Sequence, residues 1–263
     1  MTQTTAALLG GIAGLTIFIG LPVARLRGIS RAMQGFLNAL ATGVLVFLLW
    51  DILSHAGEPV TKALAGVHRG APGPFIAMAS IFAGGLAFGL LALVYFNGAV
   101  MSRVKGQSPG SPSPRTLAMM IATGLGLHNF SEGLAIGQSA ATGAIAFAGV
   151  LVVGFALHNI TEGFGIAAPM ATETARAPWS FLLLAGTVGG APTFVGTVLG
   201  YLATSPYVYV LFLALAAGAL IYVLNELFSL GKKINTPVML GWGLTLGFLA
   251  AFSTDLFLTY VSL

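Results

Sequence analysis

The sequence predicts an all-helical integral membrane protein, with eight transmembrane helices in one domain that spans residues 1–263. Only 7% of the residues are charged, against roughly a quarter in soluble domains, while 57% are hydrophobic and the mean hydropathy is +0.94. Eight apolar runs each approach the length of about 20 residues that crosses a hydrocarbon core of about 30 Å. These runs do not alternate between polar and apolar residues, so they indicate helices whose backbone groups are satisfied internally.

The eight predicted helices follow the apolar runs in chain order. They cover about residues 6–26, 34–55, 74–101, 117–138, 143–168, 179–203, 206–230 and 238–261. No basic segment precedes the first run, so we expect a retained span and not a signal peptide. The Pro-, Ser- and Gly-rich residues 102–116 predict a flexible loop. A few small residues at 140–143 join the fourth and fifth helices, which makes these two helices antiparallel neighbours.

The basic residues indicate the orientation of the helices. Odd-numbered loops carry nine of them and even-numbered loops carry only Lys62 and Arg69. The positive-inside rule therefore places the odd loops, including 102–116, in the cytoplasm and both termini outside. The net charge of +4 is then a topology signal of a protein in the cell membrane, and it requires no nucleic-acid partner. A 3+2+3 arrangement of helices, with an inverted repeat flanking a central pair, is a hypothesis from this division.

One short motif occurs twice, thirty positions apart. Residues 128–133 read HNFSEG and residues 158–163 read HNITEG, inside the fourth and fifth predicted helices. Within each copy the His and the Glu are four residues apart, so they lie one turn apart on the same helix face. Two facing helices of this kind predict a site with nitrogen and oxygen ligands for a divalent transition metal. Thiolate ligands are excluded because the chain has no cysteine.

The position of the motif near mid-bilayer favours a functional role. A charged group at that depth costs on the order of 3 kcal/mol, and a bound dication would compensate this cost while keeping both Glu residues ionised. The simpler alternative is a hydrogen-bonded His–Glu couple in each helix. Asn129 and Asn159 can supply ligand oxygens or ordinary interhelical hydrogen bonds. Gly133 and Gly163 predict close packing of helices.

Four further ionisable residues lie elsewhere in the predicted helices. Asp51 and His55 share a face near the outer end of the second helix, where they could collect cations at an entrance; a solvated helix end is the alternative. Glu226, toward the cytoplasmic end of the seventh helix, is a candidate exit ligand or relay. Asp255, near the outer end of the eighth helix, is expected at the membrane interface.

These features together resemble the ZIP (Zrt-, Irt-like) metal transporters, and especially their prokaryotic GufA-like branch. The eight-helix topology, the two motif copies and the stretch AAGALIYVLNEL around Glu226 carry the resemblance. The resemblance implies uptake of Zn²⁺ and sometimes other divalent metals into the cytoplasm, often by a homodimer, through a binuclear centre between the fourth and fifth helices. It implies that the first metal is held by His128, Glu132, His158 and Glu162. The second would be held by Asn129, Asn159 and the two Glu residues as bridges.

The sequence departs from the family pattern at two places. Ser131 and Thr161 stand where the family usually has Pro, and their hydroxyls can bend a helix only more weakly, by bonding to the preceding turn. Ala191 precedes Pro192 where many relatives have Glu. The second metal site is therefore expected to be weaker or absent.

The sequence thus predicts an importer of divalent metal and not an enzyme. Imidazole and carboxylate ligands suit Zn²⁺, and also Fe²⁺, Mn²⁺ or Co²⁺, with Cd²⁺ as a mimic. One alternative is a proton-coupled carrier of a small solute, in which the His–Glu couples relay protons. The other is an intramembrane metal hydrolase with Glu132 or Glu162 as base, although the H-x-x-x-E spacing differs from the H-E-x-x-H of such enzymes.

Overall fold

The computed structural model describes residues 1–26, 30–103, 112–172, 176–203 and 205–262, and all regular structure in these ranges is helical. The α-helices are α1 (Gln3–Leu15), α2 (Ile17–Gly20), α3 (Arg31–Val67), α4 (Gly73–Arg103), α5 (Pro114–Ala141), α6 (Ile145–Ala167), α7 (Trp179–Leu202), α8 (Pro206–Ile234) and α9 (Pro237–Ser262). Helices α5 and α6 are the fourth and fifth predicted helices. Most of the predicted flexible loop, residues 104–111, lies outside the described residues.

The first predicted span is interrupted. Helices α1 and α2 and a 3-10 turn, Leu21–Arg25, follow one another and together form one membrane-length segment. At the junction, Thr16 Oγ1 lies 2.7 Å from Ala13 O and 2.6 Å from Ala156 O. Its single proton can bond to either carbonyl, one in α1 and the other in α6. This junction therefore ties the first span to the helix that carries the second motif copy.

Seven helical segments within the described residues are long and apolar enough to cross a membrane, and α5 is not among them. Helix α5 has 28 residues, so its length is sufficient. Its apolar character is reduced by the polar residues of the first motif copy. Since 17 of its residues are buried, protein covers much of its surface, and the helix needs fewer apolar side chains than one that faces lipid.

Helix α3 is much longer than the sequence predicts. It runs for 37 residues, or about 55 Å at about 1.5 Å per residue, so the predicted end at residue 55 is wrong by twelve residues. The extension carries an ion pair between Lys62 Nζ and Glu58 Oε1 at 2.6 Å, and it continues through Pro59. Apolar length could not detect it. Asp51 and His55 consequently lie about three to four turns before the helix ends.

The helices around the motif approach one another at backbone distance. A Cβ added at Gly133 would lie 2.2 Å from Thr193 O of α7, and one at Gly163 would lie 2.2 Å from Ile17 O of α2. The packing interpretation of these glycines therefore holds. The connection from α5 to α6 is short, as predicted, and Gly143 has a φ of 84°, which favours glycine. The most extensive contact of α5, however, is with α7 and not with α6.

Candidate metal centre

The two motif copies each place a His and a Glu on the same helix face. His128 Nε2 lies 3.3 Å from Glu132 Oε1 on α5, and His158 Nε2 lies 3.8 Å from Glu162 Oε1 on α6. All four residues are at most 5% exposed. Neither imidazole Nε2 is hydrogen-bonded. Both contacts therefore lie within ion-pair distance but do not have the geometry of a hydrogen bond.

Three of these side chains converge on a common point. One ligand atom from each of His128, Glu132 and His158 lies within 4.8 Å of the other two. Around a tetrahedral Zn²⁺ ion with bonds of about 2.0–2.2 Å, ligand atoms are about 3.3–3.6 Å apart. Side-chain shifts of up to about 1 Å would therefore bring the three atoms to coordination distance. Glu162 lies at the edge of this group, next to His158.

Buried polar atoms without a hydrogen-bond partner concentrate at this point. Buried polar groups are normally paired because an unpaired one costs about 1–3 kcal/mol. The unpaired atoms here are His128 Nδ1 and Nε2, Asn129 Oδ1, Glu132 Oε2, His158 Nε2, Asn159 Oδ1 and Glu162 Oε1. Oxygen and imidazole nitrogen lone pairs form most of this set, and such a set fits a cation.

The two Asn side chains are oriented by neighbouring helices. Asn129 Nδ2 donates to Glu162 Oε2 at 2.8 Å and to Gly189 O of α7 at 3.0 Å. Asn159 Nδ2 donates to Ala13 O of α1 at 2.9 Å. Both amides therefore use their donors for interhelical bonds and keep their oxygens unpaired. Each Asn can therefore make interhelical hydrogen bonds through its nitrogen and offer its oxygen to a metal, which are the two roles that the sequence left open.

A narrow cavity connects the cluster to the Asp51–His55 pair. Its volume is about 60 Å³, and it is lined by Asp51, Ile52, His55, His128, Ser131, Glu132, Ala135, Phe155, Tyr209 and Leu213. His55 Nδ1 lies 3.2 Å from Asp51 Oδ1, and the side chains of His55 and Asp51 are 52% and 18% exposed. A polar route thus begins at an accessible histidine and ends at the buried cluster.

Comparison with known families identifies the chain. The sequence model of the family described as ZIP Zinc transporter matches residues 102–255, which is more than half of the 263 residues and includes both motif copies. The chain belongs to the ZIP zinc transporter family. None of the curated proteins compared with the chain matches it. Membership in the ZIP family implies transport of divalent metals by a multi-pass membrane protein, and it confirms the family resemblance drawn from the motifs.

The two positions that depart from the usual ZIP proline behave differently. Helices α5 and α6 both continue through the motif without a break. Thr161 Oγ1 donates to His158 O of its own helix at 2.6 Å, which is the expected back-bonding. Ser131 is buried, and its Oγ has no hydrogen-bond partner. One hydroxyl is thus used within the helix and the other is not.

Two other predicted residues are not at the cluster. Ala191 is exposed and lines an apolar groove with Thr123 and Leu127. In this arrangement the position lies outside the cluster, so the cluster loses no side chain because residue 191 is not acidic. Glu226 is partly buried and does not line the cavity. It follows Leu213 by thirteen residues on α8, which corresponds to about 20 Å at about 1.5 Å per residue.

Sequence reasoning missed several contributions to this candidate site. Tyr209 and Leu213 of α8 and Phe155 of α6 line the cavity, and the carbonyls of Ala13 and Gly189 orient the Asn side chains. No motif marks these residues. A carbonyl acceptor has no side-chain signal, and an apolar side chain in a membrane helix is too common to indicate a lining position.

Proposed function

We propose that this protein imports a divalent transition metal, Zn²⁺ first among them, across the cell membrane into the cytoplasm, and that the ion passes between α5 and α6. The observation that carries the proposal is the buried convergence of His128, Glu132 and His158 with their unpaired ligand atoms. Membership in the ZIP family supports transport of divalent metal in general.

The transported ion is held by the two motif copies. His128, Glu132 and His158 form the first ligand set, and Glu162 Oε1, which has no hydrogen-bond partner, completes it. The oxygens of Asn129 and Asn159, with the Glu residues as bridges, offer a second site that is expected to bind an ion more weakly than the first. Imidazole and carboxylate without thiolate suit Zn²⁺, Fe²⁺, Mn²⁺, Co²⁺ and Cd²⁺. Such ligands replace hydration water and still allow the ion to leave.

The ion enters past Asp51 and His55 and leaves past Glu226. The negative charge of Asp51 at one end of the narrow cavity attracts a dication, and the exposed His55 beside it gives a first ligand. Glu226 lies further along α8, toward the end that carries Lys232 and Lys233. The positive-inside rule places those lysines in the cytoplasm, which makes Glu226 an exit ligand.

The proposal also includes the topology of the helices and the assembly of the protein. Both termini lie outside, the odd-numbered loops lie in the cytoplasm, and the helices form a 3+2+3 arrangement within one transporter domain of residues 1–263. The functional unit is a homodimer of the GufA-like branch. The distribution of nine against two basic residues supports the topology.

The proposal is tested with purified protein in liposomes that contain a zinc-sensitive dye. Wild type is expected to admit Zn²⁺, whereas His158→Ala and Glu132→Ala are expected to abolish the signal because they remove ligands. His68→Ala and Glu58→Ala are matched controls, since both residues are exposed and lie outside the cluster, and they are expected to transport normally.

The same vesicles separate the alternative functions. Metal-independent proton flux through wild type would indicate the solute carrier instead, although a cavity of about 60 Å³ leaves little room for an organic solute. Cleavage of peptide or lipid without metal flux would indicate the hydrolase. No Zn²⁺ entry in wild type, or undiminished entry in His158→Ala, would refute the proposal.

A further inference from the structure

Ser131 breaks a pattern that other helical hydroxyls in this chain follow. Thr123, Thr187 and Ser229 each donate to the carbonyl four residues earlier, at 2.8–2.9 Å. Back-bonding of this kind is the usual way in which a Ser or Thr in a membrane helix satisfies its hydroxyl. Ser131 is 1% exposed and its Oγ has no partner at all. The hydroxyl is therefore available for a group outside the helix.

The position of Ser131 places this hydroxyl between the two ends of the cavity. Residues 128, 131, 132 and 135 follow the i, i+3, i+4, i+7 spacing of one helix face, and all four line the cavity. Asp51 and His55 line the same cavity from α3. Thr193 Oγ1 is also buried without a partner, but Thr193 does not line this cavity. Ser131 thus combines an unpaired hydroxyl with access to the route.

The size of the cavity limits what can bind there. A volume of about 60 Å³ is several times the roughly 10–15 Å³ that a cavity needs to hold one water molecule. This space suits a single ion that still carries some of its waters. An uncharged hydroxyl can accept a hydrogen bond from such a water or coordinate through its oxygen lone pairs.

We propose that Ser131 provides an oxygen subsite for the partly hydrated dication, between the Asp51–His55 pair and the His128–Glu132 ligands. The inference rests on the proposed function, because it assigns an added ligand to the same route. The subsite holds the ion while its remaining waters are exchanged for imidazole and carboxylate. Because hard oxygen ligands suit Mn²⁺ better than the softer Zn²⁺ or Cd²⁺, Ser131 broadens the selectivity toward Mn²⁺.

The subsite is tested by equilibrium binding of Mn²⁺ and of Zn²⁺ to the purified full-length protein. Ser131→Ala removes only the hydroxyl, and it is expected to weaken Mn²⁺ binding about fivefold to tenfold, as for one lost hydrogen bond, and Zn²⁺ binding less. The matched control is Thr161→Val at the equivalent motif position, where the hydroxyl is bonded within its own helix; its affinities are expected to stay within about twofold. Unchanged Mn²⁺ affinity in Ser131→Ala, or an equal loss in Thr161→Val, would overturn the subsite.

A second variant uses the absence of cysteine from the chain. Ser131→Cys has nearly the same volume and places a single thiol beside the cavity. Cd²⁺ bound at this thiol is expected to give a sulfur-to-metal charge-transfer band in the ultraviolet, and Cd²⁺ affinity should rise relative to Mn²⁺ because thiolate is a softer ligand. Saturating Cd²⁺ without such a band, or an unchanged Cd²⁺ affinity, contradicts the proposal.

Binding and flux separate the two proposals. Metal flux in wild type together with unchanged binding in Ser131→Ala would overturn the subsite and leave the transport proposal standing. Conversely, the predicted binding changes without any flux into liposomes would support the subsite and refute import.

Discussion

Replacement of Gly163 by Ala should separate α6 from the first span. The added Cβ would lie 2.2 Å from Ile17 O and 3.0 Å from Gly20 Cα. Both are backbone atoms, so no side chain can rotate away. An ordinary contact begins at about 3.4 Å, and α6 must therefore move by roughly 1 Å. Gly165 of the same helix is a matched control, because a Cβ there meets only Leu45 side-chain atoms at 3.9 Å or more.

The magnitude follows from comparing the two variants. In both variants, replacing a helical Gly by Ala raises the free energy of unfolding by about 0.5–1 kcal/mol. This contribution cancels when the two variants are compared. Overpacking against a backbone that cannot yield costs about 1–3 kcal/mol, and only Gly163→Ala meets that cost. We therefore expect Gly163→Ala to be about 1–3 kcal/mol less stable than Gly165→Ala.

Thermal unfolding of the two purified variants, under identical detergent and metal conditions, measures the difference. Gly163→Ala is expected to have the lower Tm. It should also bind Zn²⁺ more weakly than Gly165→Ala, because the shift of α6 changes the position of His158 relative to His128. Equal Tm values, or a more stable Gly163→Ala, would refute the reasoning that close backbone approach determines this position.

Three further predictions concern charge and support around the route. Asp51→Asn should raise the Zn²⁺ concentration that gives half-maximal uptake into liposomes, while Zn²⁺ binding at the cluster stays unchanged; an unaltered uptake curve would exclude an entrance role. Asn129→Leu removes the donor to Glu162 Oε2, so calorimetry should give a Zn²⁺ affinity about tenfold to a hundredfold lower. An Asn129→Leu variant with wild-type Zn²⁺ affinity would show that this hydrogen bond does not support the site. Glu58→Ala breaks an exposed pair with Lys62, and unfolding should change by less than about 1 kcal/mol; a larger loss would indicate a structural role for the α3 extension.

Local features were predictable where the physical cause is local. The spacing of four residues places His128 above Glu132 on any helix, and apolar length marks the segments that cross a membrane. Apolar length does not detect a helix that continues beyond its apolar run, so the end of α3 was missed. At the break, Thr16 lies within hydrogen-bond distance of a carbonyl of α6, which the first span alone cannot reveal.

The sequence by itself determined which side chains share a helix face, that the chain spans a membrane, and the family to which it belongs, because periodicity, hydropathy and a repeated motif are properties of the chain alone. Only the tertiary structure decided which helix each glycine packs against and whether a hydroxyl hydrogen-bonds within its own helix. Ser131 and Thr161 occupy the same motif position, yet Ser131 lines the cavity and Thr161 bonds to its own backbone. The physical reason is that a polar atom takes its partner from whatever neighbours the packing brings near, and those neighbours come from distant parts of the chain.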